Sequence, residues 1–327
     1  MASQLVHQPA KGLGLAFVGG FALSIDIPLI RLAGSDPYTV MWARGLGMAF
    51  VLWLYWRFFA DRSDMPQDLF ADRDFLTIGA LSGLNSIFFA LAVFNTSTAN
   101  VVFILAFNAM LAALMSWPIT GEKPSSATWL AIVTTLVGVG IIVADGLGTG
   151  NLLGDIFALL CAAMIALSLS LARRSGKDLS LAPGFGGLVT AAFAFPMTLW
   201  TATMPTAPLW LLADVLILVP LAGITLWLAP RFIPAPQVAL FYLLETVLAP
   251  VWVWMIFAEL PSRNVYIGGS LVVAGIAGHG AWELFLLRKR RKQRRREDAA
   301  RQQALREQIQ LEQLQQLQNQ LVNRELV

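Results

Sequence analysis

Asp26, Arg44 and Glu245 are the residues most able to do chemistry, because each interrupts an apolar stretch where an ionised side chain is costly. Asp26 and Arg44 lie in consecutive stretches joined by the turn Gly34-Ser35-Asp36-Pro37, each about seven residues, or roughly 10 Å along a helix, from that turn. Equal depth on neighbouring helices reads as an ion pair. Such a pair clamps two helices, forms part of an outer gate, or holds the ammonium and carboxylate of an amino acid. Glu245 has no Lys or Arg at its depth. It reads as a proton-coupling site, as a ligand for a substrate ammonium, or as a neutral acid hydrogen-bonded to a neighbouring helix.

Amides and rings supply the second set. Asn85 and Asn108 offer donors and acceptors at mid-membrane depth, suited to an amino acid backbone or to bonds between helices. Helical spacing puts Ser82, Asn85, Ser86 and Phe89 on one face, Asn100, Phe103 and Phe107 on another, and Tyr242, Glu245, Ala249 and Trp252 on a third. Faces that mix rings with polar groups suit a cavity for a ring-bearing solute. The plainer reading of rings in so apolar a chain is packing or lipid contact. The candidate substrate-binding residues are Asn85, Phe89, Phe103, Phe107, Asn108, Tyr242, Glu245 and Trp252, with Asp26 and Arg44 as gate or ion pair. Asp145, Asp155 and Asp214 are expected at span ends within reach of water. His279 and Glu283 stand one turn apart and read as an interface pair or a proton wire. Cys161 is the single cysteine, CxxC spacing is absent, and no metal or cofactor is expected. There is no G-x-x-x-x-G-K-[ST] loop for pumping by hydrolysis.

The elements that carry these residues follow from composition. Hydrophobic residues make up 57% of the chain and charged ones only 13%, which excludes an ordinary soluble enzyme, a disordered chain and a disulfide-stapled domain. Ten apolar segments approach the 20 or so residues that cross a bilayer. They are 12–33, 37–60, 74–95, 97–118, 126–145, 153–174, 184–204, 209–229, 236–258 and 265–287. The runs do not alternate as barrel strands would. Lys11, Arg57, Arg62, Arg73, Lys123, Arg173, Arg174, Lys177 and Arg231 fall before the first span or in even-numbered loops, and only Arg263 falls in an odd one. Positive residues face the cytoplasm, so both termini are expected there.

A shift of 137 residues lays Gly121-Glu122-Lys123-Pro124-Ser125 on Ala258-Glu259-Leu260-Pro261-Ser262, and Gly138 on Gly275. The repeat contains five spans, so its second copy enters from the opposite side. Inverted repeats of this kind are a common construction of secondary transporters, with the site near the midplane between the copies. The shift also pairs Asn108 with Glu245.

These residues resemble a known family. Thr98-Ala99-Asn100, Glu122-Lys123-Pro124, Gly138 and Gly140 are similar to the EamA repeat of the drug/metabolite transporter superfamily. Leu244-Glu245-Thr246-Val247-Leu248-Ala249-Pro250-Val251-Trp252-Val253-Trp254 followed by Glu259 looks like the counterpart motif of the second half. The likeness covers residues 12–287 and, in overall appearance, is nearest to the bacterial aromatic amino acid exporters. It implies ten helices, cytoplasmic termini and a central cavity between the halves. One departure stands out: the family often has a proline in the middle of the fourth span, where this chain has Phe107-Asn108-Ala109.

Residues 288–327 differ from the rest. They hold 11 Lys and Arg against 5 Asp and Glu, a balance of +6, whereas residues 1–287 hold 12 against 15, a balance of −3. Arg288 to Arg296 form a basic run expected on anionic headgroups rather than on nucleic acid. The Gln-rich remainder, with Leu305, Ile309, Leu314, Leu317 and Leu321, reads as a helix able to self-associate, either native or an appended extension.

The expected architecture is an all-α polytopic membrane protein of ten transmembrane helices in two five-helix inverted repeats (12–145 and 153–287), between a cytoplasmic N-terminus (1–11) and a helical cytoplasmic tail. The expected activity is alternating-access export of small amphipathic metabolites, aromatic amino acids first, from a bacterial inner membrane. Other amino acids, nucleosides or cationic compounds are the alternative cargo. A membrane enzyme, a channel and a non-transporting scaffold are the rival classes. An enzyme would need carboxylates or His clustered at one depth, and these are spread.

Overall fold

The computed structural model describes residues 9–58, 68–96, 98–144, 151–201, 204–258, 260, 262–286 and 289. Every regular element among them is helical. In chain order these are α1 (Pro9–Ala33), α2 (Pro37–Phe58), α3 (Arg73–Asn95), α4 (Thr98–Ala106), α5 (Asn108–Thr120), α6 (Ser126–Val143), α7 (Leu152–Ser175), α8 (Ala182–Thr201) and α9 (Pro208–Ala213). A π-helical turn (Asp214–Leu218), α10 (Val219–Leu228), a 3₁₀ turn (Ala229–Arg231) and α11 (Ala235–Phe257) follow. The last is α12 (Arg263–Leu286).

Local chemistry sets the ends of these helices. The Asp72 side chain accepts the Phe75 N–H at 2.9 Å and starts α3; Ser125 Oγ accepts the Thr128 N–H at 3.1 Å and starts α6. Gly121 (φ 74°) and Gly176 (φ 64°) close α5 and α7 in the left-handed region, where a side chain would be strained. The fourth span is interrupted for one residue at Phe107, between α4 and α5. Helices α1, α8 and α11 continue as helix across Pro28, Pro196 and Pro250.

Nine helical stretches among the described residues are long and apolar enough to cross a membrane. The α2 helix is not one of the nine, although its 22 residues reach about 33 Å. Tyr38, Trp42, Trp53, Tyr55 and Trp56, with Arg44 and Arg57, lower its hydropathy. The outer surface is apolar: Leu130, Val133 and Val137 of α6, for example, are 53–69% exposed. Water would not tolerate so extended an apolar surface. The chain is an all-helical, polytopic membrane protein.

Packing joins the first half of the chain to the second. The most extensive contacts are α2 on α8, α3 on α7, α1 on α11, α3 on α8, α5 on α7 and α1 on α10. Small residues let the backbones approach. A Cβ added at Gly45 would stand 2.5 Å from the Gly187 carbonyl, and one at Gly138 would stand 2.6 Å from the Gly268 carbonyl. The main core is rich in alanine, including Ala16, Ala109, Ala112, Ala166, Ala222 and Ala239.

Contacts divide the chain after Gly280, a boundary that α12 crosses. In the unit from Ala281 onward, the Trp282 and Phe285 rings stand 6.0 Å apart. The expected N-terminal segment 1–8, Asp145, Glu259, the basic run except Lys289, and the Gln-rich tail lie outside the described residues.

Candidate functional site

A cavity of about 410 Å³ lies among α1, α2, α3, α7, α8 and α11. Each helix contributes residues at i, i+3 or i+4: Asp26 and Ile30 from α1, Met41, Arg44 and Met48 from α2, Ser82, Asn85, Ser86 and Phe89 from α3, Cys161 and Ile165 from α7, Tyr242 and Glu245 from α11. Its lining extends to Ser35, Pro37 and Phe94 at one end of the bundle. The volume falls in the range of small-molecule sites, about 300–1,000 Å³.

The wall is mostly apolar with a few converging polar groups. Arg44 Nη2 donates to Asp26 Oδ2 at 2.7 Å, the ion pair expected from their equal depth. Cys161 Sγ donates to Asn85 Oδ1 at 2.8 Å, which fixes the amide between α3 and α7. Tyr242 and Glu245, one helical turn apart, are half-buried and line the same cavity. Six of the ten candidate residues therefore meet here: Asp26, Arg44, Asn85, Phe89, Tyr242 and Glu245.

The other four lie outside the lining. The Phe103 and Phe107 rings meet edge to face at 5.3 Å, and Phe103 packs on the main core. Trp252 Nε1 donates to Ser24 Oγ at 3.0 Å while its ring meets Phe21, so it joins α11 to α1. Asn108 is 2% exposed at the start of α5, and its Oδ1 accepts no hydrogen bond. Glu245 lines the cavity and its sequence counterpart Asn108 does not, so the pair does not share one cavity.

One further expectation changes. Asp214 was expected within reach of water, yet it is fully buried. The π-helical turn that it opens packs on α1 and α2 and carries its carboxylate to 3.8 Å from Arg44 Nε. Its position five residues inside the segment 209–229 was the available signal, comparable with the depth that singled out Asp26. Asp155 is also engaged: it accepts from Thr96 Oγ1 at 2.7 Å and Asn100 Nδ2 at 3.1 Å, tying α7 to the junction of α3 and α4. His279 Nε2 lies 3.1 Å from Thr128 Oγ1 and joins α12 to α6.

Opposite the Ser35 end, charged groups bind loops together. Arg173 is 2% exposed and was read only as a loop charge. Its Nη2 donates to Glu122 Oε1 at 2.6 Å, and its Nη1 donates to the carbonyls of Pro230 and Arg231 at 3.1 and 3.0 Å. Lys177 Nζ donates to Asp72 at 2.6 Å and Asp74 at 2.8 Å. Burial opposes ionisation of both Asp72 and Lys177, but their mutual hydrogen bond outweighs it. Asp72 is held below its usual carboxylate range and Lys177 above its usual ammonium range. Arg231 reaches Asp178 at 3.6 Å.

Residues 10–144 match the EamA-like transporter family. A solved structure, described only as the crystal structure of a protein, is similar with a TM-score of 0.69 and 18% identity, over 83% of this chain and 97% of that one. At that identity the likeness shows the fold. No curated protein matches. The family likeness therefore extends over residues 10–144, the first five of the expected spans.

Proposed function

We propose that this protein is a secondary-active exporter of small amphipathic metabolites, aromatic amino acids first, that works by alternating access between two inverted repeats. One observation carries the reading: a cavity lined by a guanidinium from one helix, a carboxylate from another, and aromatic rings. Arg44 suits a substrate carboxylate, Glu245 an ammonium, Asn85 and Tyr242 the remaining polar atoms, and Phe89 and Phe94 the ring. The repeat reading is supported by the packing. Exchanging the two five-span halves turns the α3–α7 contact into that of α1 with α10, and the α1–α11 contact into that of α5 with α7, while α2–α8 maps onto itself. Ion pairs at the end of the bundle opposite Ser35 suit a gate that opens when the halves rock.

The test is counterflow of labelled L-phenylalanine in proteoliposomes. Saturable uptake driven by internal phenylalanine, competed by Trp and Tyr and lost in Glu245→Gln, supports the reading. Folded protein that exchanges nucleosides or cationic drugs but not phenylalanine would replace the cargo class and keep the carrier. Flux without saturation or counterflow would point to a channel.

A further inference from the structure

Behind the cavity wall sits a carboxylate pair that a substrate-binding role does not explain. Seven buried side-chain oxygens among the described residues lack a hydrogen-bond partner, and three belong to this pair: Asp26 Oδ1 and both oxygens of Asp214. A buried carboxylate without partners is strongly disfavoured, so this concentration at one spot calls for a ligand. Asp214 is fully buried and does not line the cavity, whereas Asp26 does. Both carboxylates flank one guanidinium, Asp26 at 2.7 Å and Asp214 at 3.8 Å from Arg44 nitrogens. Asp214 is faced by Asp26 from α1 and Arg44 from α2, and Glu245 on α11 adds to the negative field at Arg44. Arg44 is therefore one cation among three carboxylates. It bonds Asp26 and stands off Asp214 at 3.8 Å, beyond a hydrogen bond.

We infer that Asp214 and Asp26 form a proton-binding site of this carrier. One proton, taken from water through the cavity, converts the Asp214 carboxylate to a carboxylic acid whose O–H donates to Asp26 Oδ1. The same proton removes one of the unbalanced buried charges and provides a donor for one orphaned oxygen, Asp26 Oδ1. A metal cation of similar charge is disfavoured because the Arg44 guanidinium already stands against both carboxylates. The π-helical turn beginning at Asp214 is a wide turn of the type often found at functional sites. Asp26 is the link to transport. It touches both the proton site and Arg44, so a substrate carboxylate that draws Arg44 away changes the charge that holds the proton. This coupling rests on the transport reading; proton binding itself does not.

Infrared spectroscopy of the full-length protein in detergent tests the site without any substrate. The expected result at neutral pH is a protonated-carboxyl carbonyl band that disappears in Asp214→Asn and survives in Glu245→Gln. If Asp214→Asn loses its helical circular dichroism, Asp26→Asn serves instead, with the band expected to shift through loss of its acceptor. A wild-type spectrum with no carboxyl band sensitive to either substitution would overturn the site, as would a band abolished by sodium chloride at constant ionic strength. Coupling is read in proteoliposomes from phenylalanine accumulation under an imposed pH gradient, divided by the counterflow rate of the same protein. One unit of pH supports about tenfold accumulation for one proton per solute. Wild type should show that ratio and Asp214→Asn should lose it. A wild-type ratio indifferent to the gradient would overturn coupling. Absence of all counterflow would instead overturn the carrier reading and leave the infrared result to decide the proton site.

Discussion

Arg173 and Arg44 show how the same side chain takes different tasks from its surroundings. Arg173 is satisfied on every side, by the Glu122 carboxylate and by two carbonyls that follow α10. Arg44 is satisfied by Asp26 alone at hydrogen-bond distance and keeps exposure toward the cavity. The first is a fastener and the second is available for a solute. Replacing Arg173 by Gln leaves Glu122 without its partner and the Pro230 and Arg231 carbonyls short of donors. We expect a loss of about 2–4 kcal/mol, less than a fully buried pair because Glu122 keeps contact with water. Thermal unfolding of the purified protein measures it, and a melting temperature equal to wild type would show that the fastener contributes nothing.

At the scale of elements, two kinds of contact hold the helices. One is electrostatic and lies in the loops. Lys177, after α7, bonds Asp72 and Asp74 at the start of α3. Asp72 is depressed on folding, so its contribution is full above the ordinary aspartate value of 3.8 and fades as pH falls through the lower folded value. Lys177 is elevated, so its contribution is full below 10.5 and fades as pH rises through the higher folded value. Wild type should therefore exceed Lys177→Met by a constant margin between about pH 5 and 9, narrowing outside it. The margin should be about 0.5–1 kcal/mol, since Lys177 is partly solvated. A margin that varies within the plateau would assign the effect to other groups. The second kind of contact is steric. Gly45 and Gly187 bring the α2 and α8 backbones together, and neither main chain can yield to a side chain. Gly45→Val should cost about 1–3 kcal/mol through overpacking, whereas Gly14→Ala, with nothing within 4 Å, should be neutral or slightly stabilising. Equal melting temperatures for the two would show that the helices separate freely.

At the scale of the whole molecule, the cavity is lined by helices from both halves of the chain, so a relative movement of the halves must change its access. Cys161 is a native reporter. It is the only cysteine, it lines the cavity, and it is bonded to Asn85. It is 1% exposed, so small thiol reagents should label it slowly, and L-phenylalanine should slow the labelling further. A rate unchanged by saturating phenylalanine, in protein that exchanges it, would place the solute elsewhere.

Much of this architecture was legible in the sequence. Apolar runs of about 20 residues have one stable form in hydrocarbon, because every backbone polar group must be bonded within its own segment. The helices thus lie within a few residues of the expected segments, from Pro9–Ala33 to Arg263–Leu286. The Asp26–Arg44 pair was legible for the same reason, since equal depth on adjacent helices leaves two charges little alternative to each other. Helical spacing likewise put Asn85 with Phe89, and Tyr242 with Glu245, on faces that line the cavity. Spacing cannot say how a helix is rotated about its axis or where it departs from 3.6 residues per turn. Phe103 and Asn108, on either side of the turn at Phe107, pack outside the cavity, and Asp214, which opens the π-helical turn, is fully buried. Both irregularities are settled by how α4, α5 and the Asp214 turn pack on their neighbours. Sequence determined which residues enter the membrane and at what depth; tertiary packing decided which of them face one another, because rotation and local unwinding cost little within a helix and are set by contacts between helices.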